Sequence, residues 1–156
     1  MNIVIRIATK NDFTSIQRLS QELTISDSIY DPILVKDWAY SKHGIKYLNQ
    51  RITGKRCICI VAEVDGKIAG YTTATIMKPI SWRPGKHVEM ENLIVDKEFR
   101  NQGIGAKLIE AFFDWAKKVK ADFAEVHSYY NNERAQALYK RSSFVPLFVS
   151  LETKLI

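Results

Sequence analysis

Arg100-Asn101-Gln102-Gly103-Ile104-Gly105 lies between an apolar stretch, Asn92-Leu93-Ile94-Val95, and a long amphipathic run that begins at Ile104. The order reads as strand, short loop, glycine-rich turn and helix start. The first N–H groups of a helix have no partner inside the helix, and with the helix dipole they favour a phosphate. Glycine lets the phosphate come close because no side chain stands in the way. Residues 100–105 are therefore expected to hold a phosphate-bearing ligand.

Working outward, Val88 to Val95 reads as the strand that feeds this turn. The helix over 103–120 carries an apolar stripe of Ile104, Leu108, Phe112, Trp115 and Val119 and a polar face of Lys107, Glu110, Asp114 and Lys118. Phe123 to His127 is a short strand, and Asn132 to Lys140 a helix with Ala135 and Leu138 inward. Phe144 to Leu155 predicts one closing strand or a hairpin. Upstream, Ile3 to Ile7 is a strand, and Thr9 caps a helix with Asp12 at its third position. Asp31-Pro32 marks a second helix start, and Ile33, Leu34, Trp38, Ile45 and Leu48 sketch a looser helix broken near Gly44. Cys57 to Val64 and Ile68 to Met77 are strands joined by an Asp65-Gly66 hairpin turn. Pro79 to Lys86 is a loop that exposes Trp82.

The hairpin requires antiparallel pairing, and the strand–helix–strand run from 88 to 127 a parallel crossover. An α/β fold follows: a mixed, mostly antiparallel sheet flanked by helices on both faces, with residues 1–156 as one domain.

Bulk properties narrow the function. The 156 residues are 46% hydrophobic and 26% charged, ordinary for a globular domain. No apolar run nears the ~20 residues of a membrane span. Met1-Asn2-Ile3-Val4-Ile5-Arg6 lacks the features of a signal peptide, so a cytoplasmic location and no membrane partner are expected. Cys57 and Cys59 point the same way off one strand; they are too few for a zinc site and poorly placed for a disulfide, so they read as buried structural thiols and no metal is expected. The net charge of +6 is spread along the chain. Its densest group, Lys117, Lys118 and Lys120, sits at a helix C-terminus, where it complements the dipole, so no nucleic-acid partner is expected.

Two nucleotide readings of the glycine turn fail. A dinucleotide loop needs a third glycine where this chain has Leu108, and belongs after the first strand. A P-loop needs Gly-Lys followed by Ser or Thr, which is absent.

Arg100-x-x-Gly103-x-Gly105 between a strand and a helix resembles the acetyl-CoA signature of the GCN5-related N-acetyltransferases. Asn132-Glu133-Arg134-Ala135-Gln136-Ala137-Leu138-Tyr139-Lys140 followed by Phe144 resembles that family's second signature. Ile5-Arg6-Ile7-Ala8-Thr9 with Asp12 resembles its opening strand and helix, and the Asp65-Gly66 hairpin stands where the family has one. The likeness spans nearly the whole chain. One departure is Ser143, which occupies a turn where the family usually has glycine.

The resemblance implies an enzyme that moves acetyl from acetyl-CoA directly to a primary amine, with no covalent intermediate. Backbone N–H groups of Asn101, Gln102, Gly103, Ile104, Gly105 and Ala106 would cradle the pyrophosphate, with Arg100 adding charge or capping the loop. Leu93, Ile94 and Val95 would pair with the pantetheine arm, and an N–H at Ile94 or Val95 would polarise the thioester carbonyl. Asn132 would contact the cofactor, cap its helix, or both. Tyr139 would be the general acid for the departing thiolate.

Glu89 and Glu91 are the candidate bases, with Glu91 the first choice. Two residues apart on a strand, they share a face, which would also carry Leu93 and Val95 unless a bulge intervenes. Neighbouring carboxylates raise one another's pKa and attract a cation. His87 and His127 are read as structural. Tyr30, Asp31, Trp38, Tyr40 and Trp82 fall in segments that shape the family's acceptor pocket, but the acceptor, a small-molecule amine or a peptide amine, stays open. A homodimer is the working expectation for assembly. The alternative reading is an acyl-CoA sensor without turnover, which would not need Tyr139 or the acidic pair.

Overall fold

The computed structural model describes residues 1–156. Five strands form one sheet in the order β1 (Ile3–Ile7), β2 (Cys57–Val64), β3 (Lys67–Ile76), β4 (His87–Val95) and β5 (Phe123–Val126). β1 to β4 pair antiparallel, and β5 joins β4 in parallel. The parallel pair is bridged by helix α3 (Ile104–Lys118), as the 88–127 run predicts. Asp65 and Gly66, with φ of 48° and 83°, make the tight turn between β2 and β3.

Helices α1 (Phe13–Asp27) and α2 (Lys42–Thr53) cover one face. There Ile16, Leu19 and Leu48 pack on Cys59, Val61, Tyr71 and Ile94. On the other face α3 buries Ile104, Leu108, Ile109 and Phe112 against the sheet. Helix α4 (Glu133–Arg141) joins that side through Leu138 and Tyr139. The mixed sheet with helices on both faces is therefore present. No helix is long and apolar enough to cross a membrane.

The N-terminal link is held by charge. Arg6 on β1 reaches both Asp12 oxygens at 2.8 and 2.9 Å and Glu63 on β2 at 2.8 Å. Asp12 also accepts from the Thr9 N–H at 2.7 Å. The carboxyl is 7% exposed, and the Arg6 guanidinium holds it down at about 2.

Two predicted elements differ. The helix expected from Asp31 begins instead at Lys42, where the Ser41 hydroxyl caps it by accepting from the Gly44 N–H at 3.0 Å. Residues 28–37 form turns, and Trp38–Tyr40 a single tight turn. Gly44 does not break the helix; it lies in the first turn, where a Cβ would stand 2.1 Å from the Trp38 carbonyl. The strand or hairpin expected over 144–155 is absent. Residues 145–156 have no regular structure and form no backbone ladder, because no strand lies beside them to complete one.

Candidate active site

The decisive local feature is a bulge in β4. Thr73 of β3 pairs with Asn92 and Ala74 with Met90, which leaves Glu91 as the extra residue. A bulge reverses the alternation of faces. Val88 and Met90 pack with Phe112, and beyond the bulge Leu93 and Val95 pack on the same α3 side. Glu91 and Ile94 face α1 and α2. The expectation that Leu93 and Val95 share a face with Glu89 and Glu91 is therefore corrected by the inserted residue.

The same stretch opens a cleft. β4 and β5 pair only from His87–Phe123 to Met90–Val126. From Glu91 to Val95, β4 has β3 on one side and no strand on the other. At the end of this gap lies the loop at 100–103. Asn101 and Gly103 take left-handed conformations, φ 62° and 77°. A Cβ on Gly103 would meet nothing within 4 Å, so the space in front of the turn is open. The first N–H groups of α3 precede its first turn of hydrogen bonds, in which Lys107 donates to the Gly103 carbonyl. Gly105 serves packing instead: its Cβ would lie 3.2 Å from Leu138 and 3.9 Å from Val95.

Arg100 donates through Nε to the Val95 carbonyl at 3.0 Å, so its side chain ties the loop to the end of β4. Asn101 accepts from Arg134 at 3.3 Å, which joins the loop to α4. Asn132 caps α4, its side chain accepting from the Ala135 N–H at 3.1 Å.

The two candidate carboxylates differ sharply. Glu91 is gripped by Arg51 of α2, Nε to Oε2 at 2.5 Å and Nη2 to Oε1 at 2.6 Å. Tyr47 donates to it at 3.1 Å and lies under the Arg51 guanidinium, 4.2 Å from ring centre to Cζ. Asn92 donates to both the Tyr47 hydroxyl, 2.8 Å, and Thr73, 2.7 Å. Burial pushes the Tyr47 phenol up to about 12. No arginine hydrogen-bonds Glu89. Its neighbour is His127, Nδ1 3.2 Å from Oε1, and burial raises it above the ordinary carboxylate range, with Glu91 and Glu125 adding to the rise, although the charges of His127 and, more weakly, Arg51 work against it. The acidic patch is thus largely offset, since Glu125 also pairs with Arg83 at 2.5 Å and His87 at 2.9 Å. His87 is buried at the start of β4, a strand-end position.

Tyr139 is half-buried on α4, and burial pushes its phenol up to about 12, with Asp27 as a secondary cause. Its ring is set by the helix end. Ser143 adopts φ 71°, its N–H reaches Lys140, and the Phe144 N–H reaches the Tyr139 carbonyl. This left-handed turn brings Phe144 edge-on to Tyr139 at 5.9 Å. Serine thus forms the turn for which the related signature has glycine.

Some residues escaped the sequence reading. Tyr47 and Arg51 are four apart on α2 and share a face, a visible signal, but nothing in the sequence aims that face at Glu91. His127 was read as structural and contacts Glu89. Tyr30 stacks on Tyr129 at 5.6 Å, and the Tyr129 hydroxyl meets Asp31 at 3.4 Å, so the turn at 28–31 reaches the segment between β5 and α4. Trp38 packs on Tyr47 at 5.5 Å, and Trp82 is exposed. An apolar cavity of about 450 Å³ lies elsewhere, lined by Ile52, Cys57 and Trp115 among others, and contains no predicted site residue.

The family model for the acetyltransferase (GNAT) family matches residues 17–144. An uncharacterised N-acetyltransferase of Archaeoglobus fulgidus is 31% identical over 107 residues, 67% of this chain and 73% of that protein. The crystal structure of a mutant Bacillus halodurans protein superposes with a TM-score of 0.85 at 23% identity, covering 98% of this chain and 99% of that one. An aminoglycoside N-acetyltransferase in complex with CoA gives a TM-score of 0.78 at 18% identity, covering 99% and 96%. The chain belongs to the acetyltransferase (GNAT) family and is an acyltransferase.

Proposed function

We propose that residues 1–156 act as one domain that transfers acetyl from acetyl-CoA directly to a primary amine, with Glu89 as general base and Tyr139 as general acid. The observation that carries this reading is the end of β4–β5 pairing at Met90 and Val126, which leaves Glu91 to Val95 with no strand on the side opposite β3.

The residues fit the cofactor. The open space at Gly103 and the unpartnered N–H groups at the start of α3 suit a pyrophosphate, with Gln102 and Ala106 beside them. Leu93, Ile94 and Val95 would hold the pantetheine arm as an added strand, and Asn132 would stand near it. Acetyl-CoA, when bound, supplies an activated acetyl thioester. The chain supplies a main-chain N–H at Ile94 or Val95 for a developing oxyanion, a carboxylate to take the ammonium proton, and a phenol O–H for the thiolate.

The choice between carboxylates follows from their partners. A base must release its proton near neutral pH and be reachable. Glu89 is raised by burial and meets only His127, whereas both oxygens of Glu91 are engaged by Arg51 and Tyr47. Glu91 is the less available base and the better anchor for the bulge. Cys57 and Cys59 are free thiols, and burial raises both, Cys59 to about 12, so neither is an activated nucleophile.

The acceptor is an amine that gives up its proton to Glu89; Tyr30 and Tyr129, stacked on each other beside Asp31, offer an aromatic and anionic surface that a cationic acceptor could use. Free-CoA release measured over a panel of amines, with acetyl-CoA thermal shift in parallel, tests the reading. Stabilisation by acetyl-CoA together with turnover on at least one amine is expected. Absence of any shift at saturating acetyl-CoA overturns the cofactor assignment; a shift without turnover on any amine favours the sensor.

A further inference from the structure

We infer, on the proposed use of Leu93 to Val95 by acetyl-CoA, that Tyr47 and Asn92 are positioning residues for the transfer step: together they hold the bulge of β4, and so the main chain beyond it, in one geometry. The need arises from the sheet. β5 stops pairing with β4 at Met90. The β3 ladder is interrupted at the next residue, Glu91, which has no partner across the bulge. Glu91 therefore stands where neither neighbouring strand completes a ladder, and the strand beyond it is held from one side alone. Main chain with so few ladder bonds is the part of a sheet that opens most easily.

Side chains take over at this point. Six side-chain hydrogen bonds converge on Glu91 and Asn92. Arg51 supplies two of them, both to Glu91. The rest form a clamp around Asn92. Its amide donates to the Tyr47 hydroxyl at 2.8 Å and to Thr73 Oγ1 at 2.7 Å. Thr72, which points to the opposite face of β3, donates to the Asn92 main-chain carbonyl at 2.7 Å. Asn92 is thereby pinned from both faces, by its side chain and by its main chain. Thr72 and Thr73 are fully buried, so water does not compete for their hydroxyls.

Tyr47 links the clamp to the bulge. Its hydroxyl accepts from Asn92 and donates to Glu91 Oε2 at 3.1 Å. With donor and acceptor functions both engaged, it acts through residues 91 and 92 and not on a substrate. Trp38 packs on its ring at 5.5 Å between centres and keeps it in place. A bulge fixed in this way aims the main chain that follows it. A small displacement there costs more in rate than in binding, because transfer needs closer alignment than strand-like pairing does.

Three variants test this: Tyr47→Phe, Thr73→Val and Thr73→Ser. The first two each remove one hydroxyl of the clamp and leave Arg51 on Glu91; the third keeps the hydroxyl. Tyr47→Phe and Thr73→Val are expected to lower kcat about tenfold or more, while the acetyl-CoA dissociation constant stays within about three-fold and the acidic limb of the rate–pH profile keeps its position. Thr73→Ser is expected to recover most of the kcat that Thr73→Val loses. Urea unfolding verifies that each variant is folded at the assay temperature. A kcat within about three-fold of the unsubstituted chain in either hydroxyl-free variant overturns the inference, and so does a matching fall in affinity, which would make the network a support of the cofactor site as a whole. A Thr73→Ser variant as slow as Thr73→Val overturns it too. Amide exchange over 91–95 needs no turnover and separates the clamp from the proposed transfer: if no amine is acetylated, the transfer reading fails, while unchanged exchange in Tyr47→Phe overturns the clamp and faster exchange supports it.

Discussion

Arg51 of α2 grips both oxygens of Glu91, the inserted residue of the β4 bulge. The pair is about 15% exposed on each side, so water screens it little. One helix residue thereby fixes the point at which β4 leaves β5 and the cleft opens. Glu91→Gln is expected to lower stability by about 1–3 kcal/mol, because it leaves a part-buried guanidinium without its anion. Urea unfolding measures this. The acidic limb of the rate–pH profile should survive in that variant. Glu89→Gln should behave in the opposite way. Burial raises Glu89, so the basic form is present above the raised value and activity falls as pH drops through it. With Gln there, the remaining slow rate should no longer fall with acid. A surviving limb in Glu89→Gln and a flat one in Glu91→Gln would reverse the assignment.

Tyr139→Phe separates catalysis from packing. The Phe144 contact involves the ring and persists in the variant. No hydrogen bond within the chain depends on the hydroxyl, so stability should change by less than about 1 kcal/mol. Loss of a general acid should lower kcat by roughly 10²–10⁴-fold, with the KM for acetyl-CoA nearly unchanged. Steady-state kinetics at saturating amine measures both, and an unchanged kcat would return Tyr139 to a packing role.

Ser143→Gly should stabilise the protein. A non-glycine residue at φ 71° carries roughly 1 kcal/mol of backbone strain. Glycine removes it and loses part of the gain to its freer unfolded chain, so the net effect should be a fraction of 1 kcal/mol up to about 1 kcal/mol. A raised melting temperature with unchanged kinetics is expected; a lowered one would show that the Ser143 side chain contributes something the backbone geometry does not reveal.

Sequence periodicity located every strand and three of the four helices, because each buries one face against a common sheet. The Asp65-Gly66 turn and the 88–127 crossover set the topology, since both follow from local chemistry and chain handedness. The second helix was misplaced because Asp31-Pro32 is a good start signal, while the start in use, at Ser41, depends on Gly44 fitting under the Trp38 carbonyl. The glycine turn and Tyr139 were legible as motif residues. The roles of Arg51 and Tyr47 were not, because they depend on one inserted residue in a strand 40 positions away, and an inserted residue leaves no periodic trace. The apolar pattern over 144–155 predicted a strand that the structure does not contain, because a strand needs a partner edge as well as a pattern.

Asp12 should govern acid stability. Its folded-state pKa of about 2 lies below its ordinary 3.8. Its contribution is therefore complete above the unfolded value and is lost as pH falls through the folded one. The size is about 2 kcal/mol, present at neutral pH and declining from about pH 4 downward. Asp12→Asn should show that loss already at pH 7 and a flatter stability profile between about pH 4 and 2. Urea midpoints across this window measure it. Equal slopes for the two proteins would mean that Arg6 draws its anchorage from Glu63 alone.

Gly103 and Gly105 offer a controlled comparison at the proposed phosphate site. At Gly103 the φ of 77° penalises any side chain by roughly 1 kcal/mol, and a Cβ would project into the open space in front of the helix start. Gly103→Ala should thus weaken acetyl-CoA binding by tenfold or more, about 1.4 kcal/mol, beyond its modest cost to stability. At Gly105 the backbone is helical, and a Cβ would press on Leu138 at 3.2 Å, away from that space. Gly105→Ala should alter stability through the α3–α4 contact while leaving cofactor affinity within a few-fold. Calorimetric titration of both variants with acetyl-CoA distinguishes the two effects. Equal affinity loss at both positions would mean that the glycines act through the shape of the α3–α4 pair, and the open space at Gly103 would then have no part in holding the pyrophosphate.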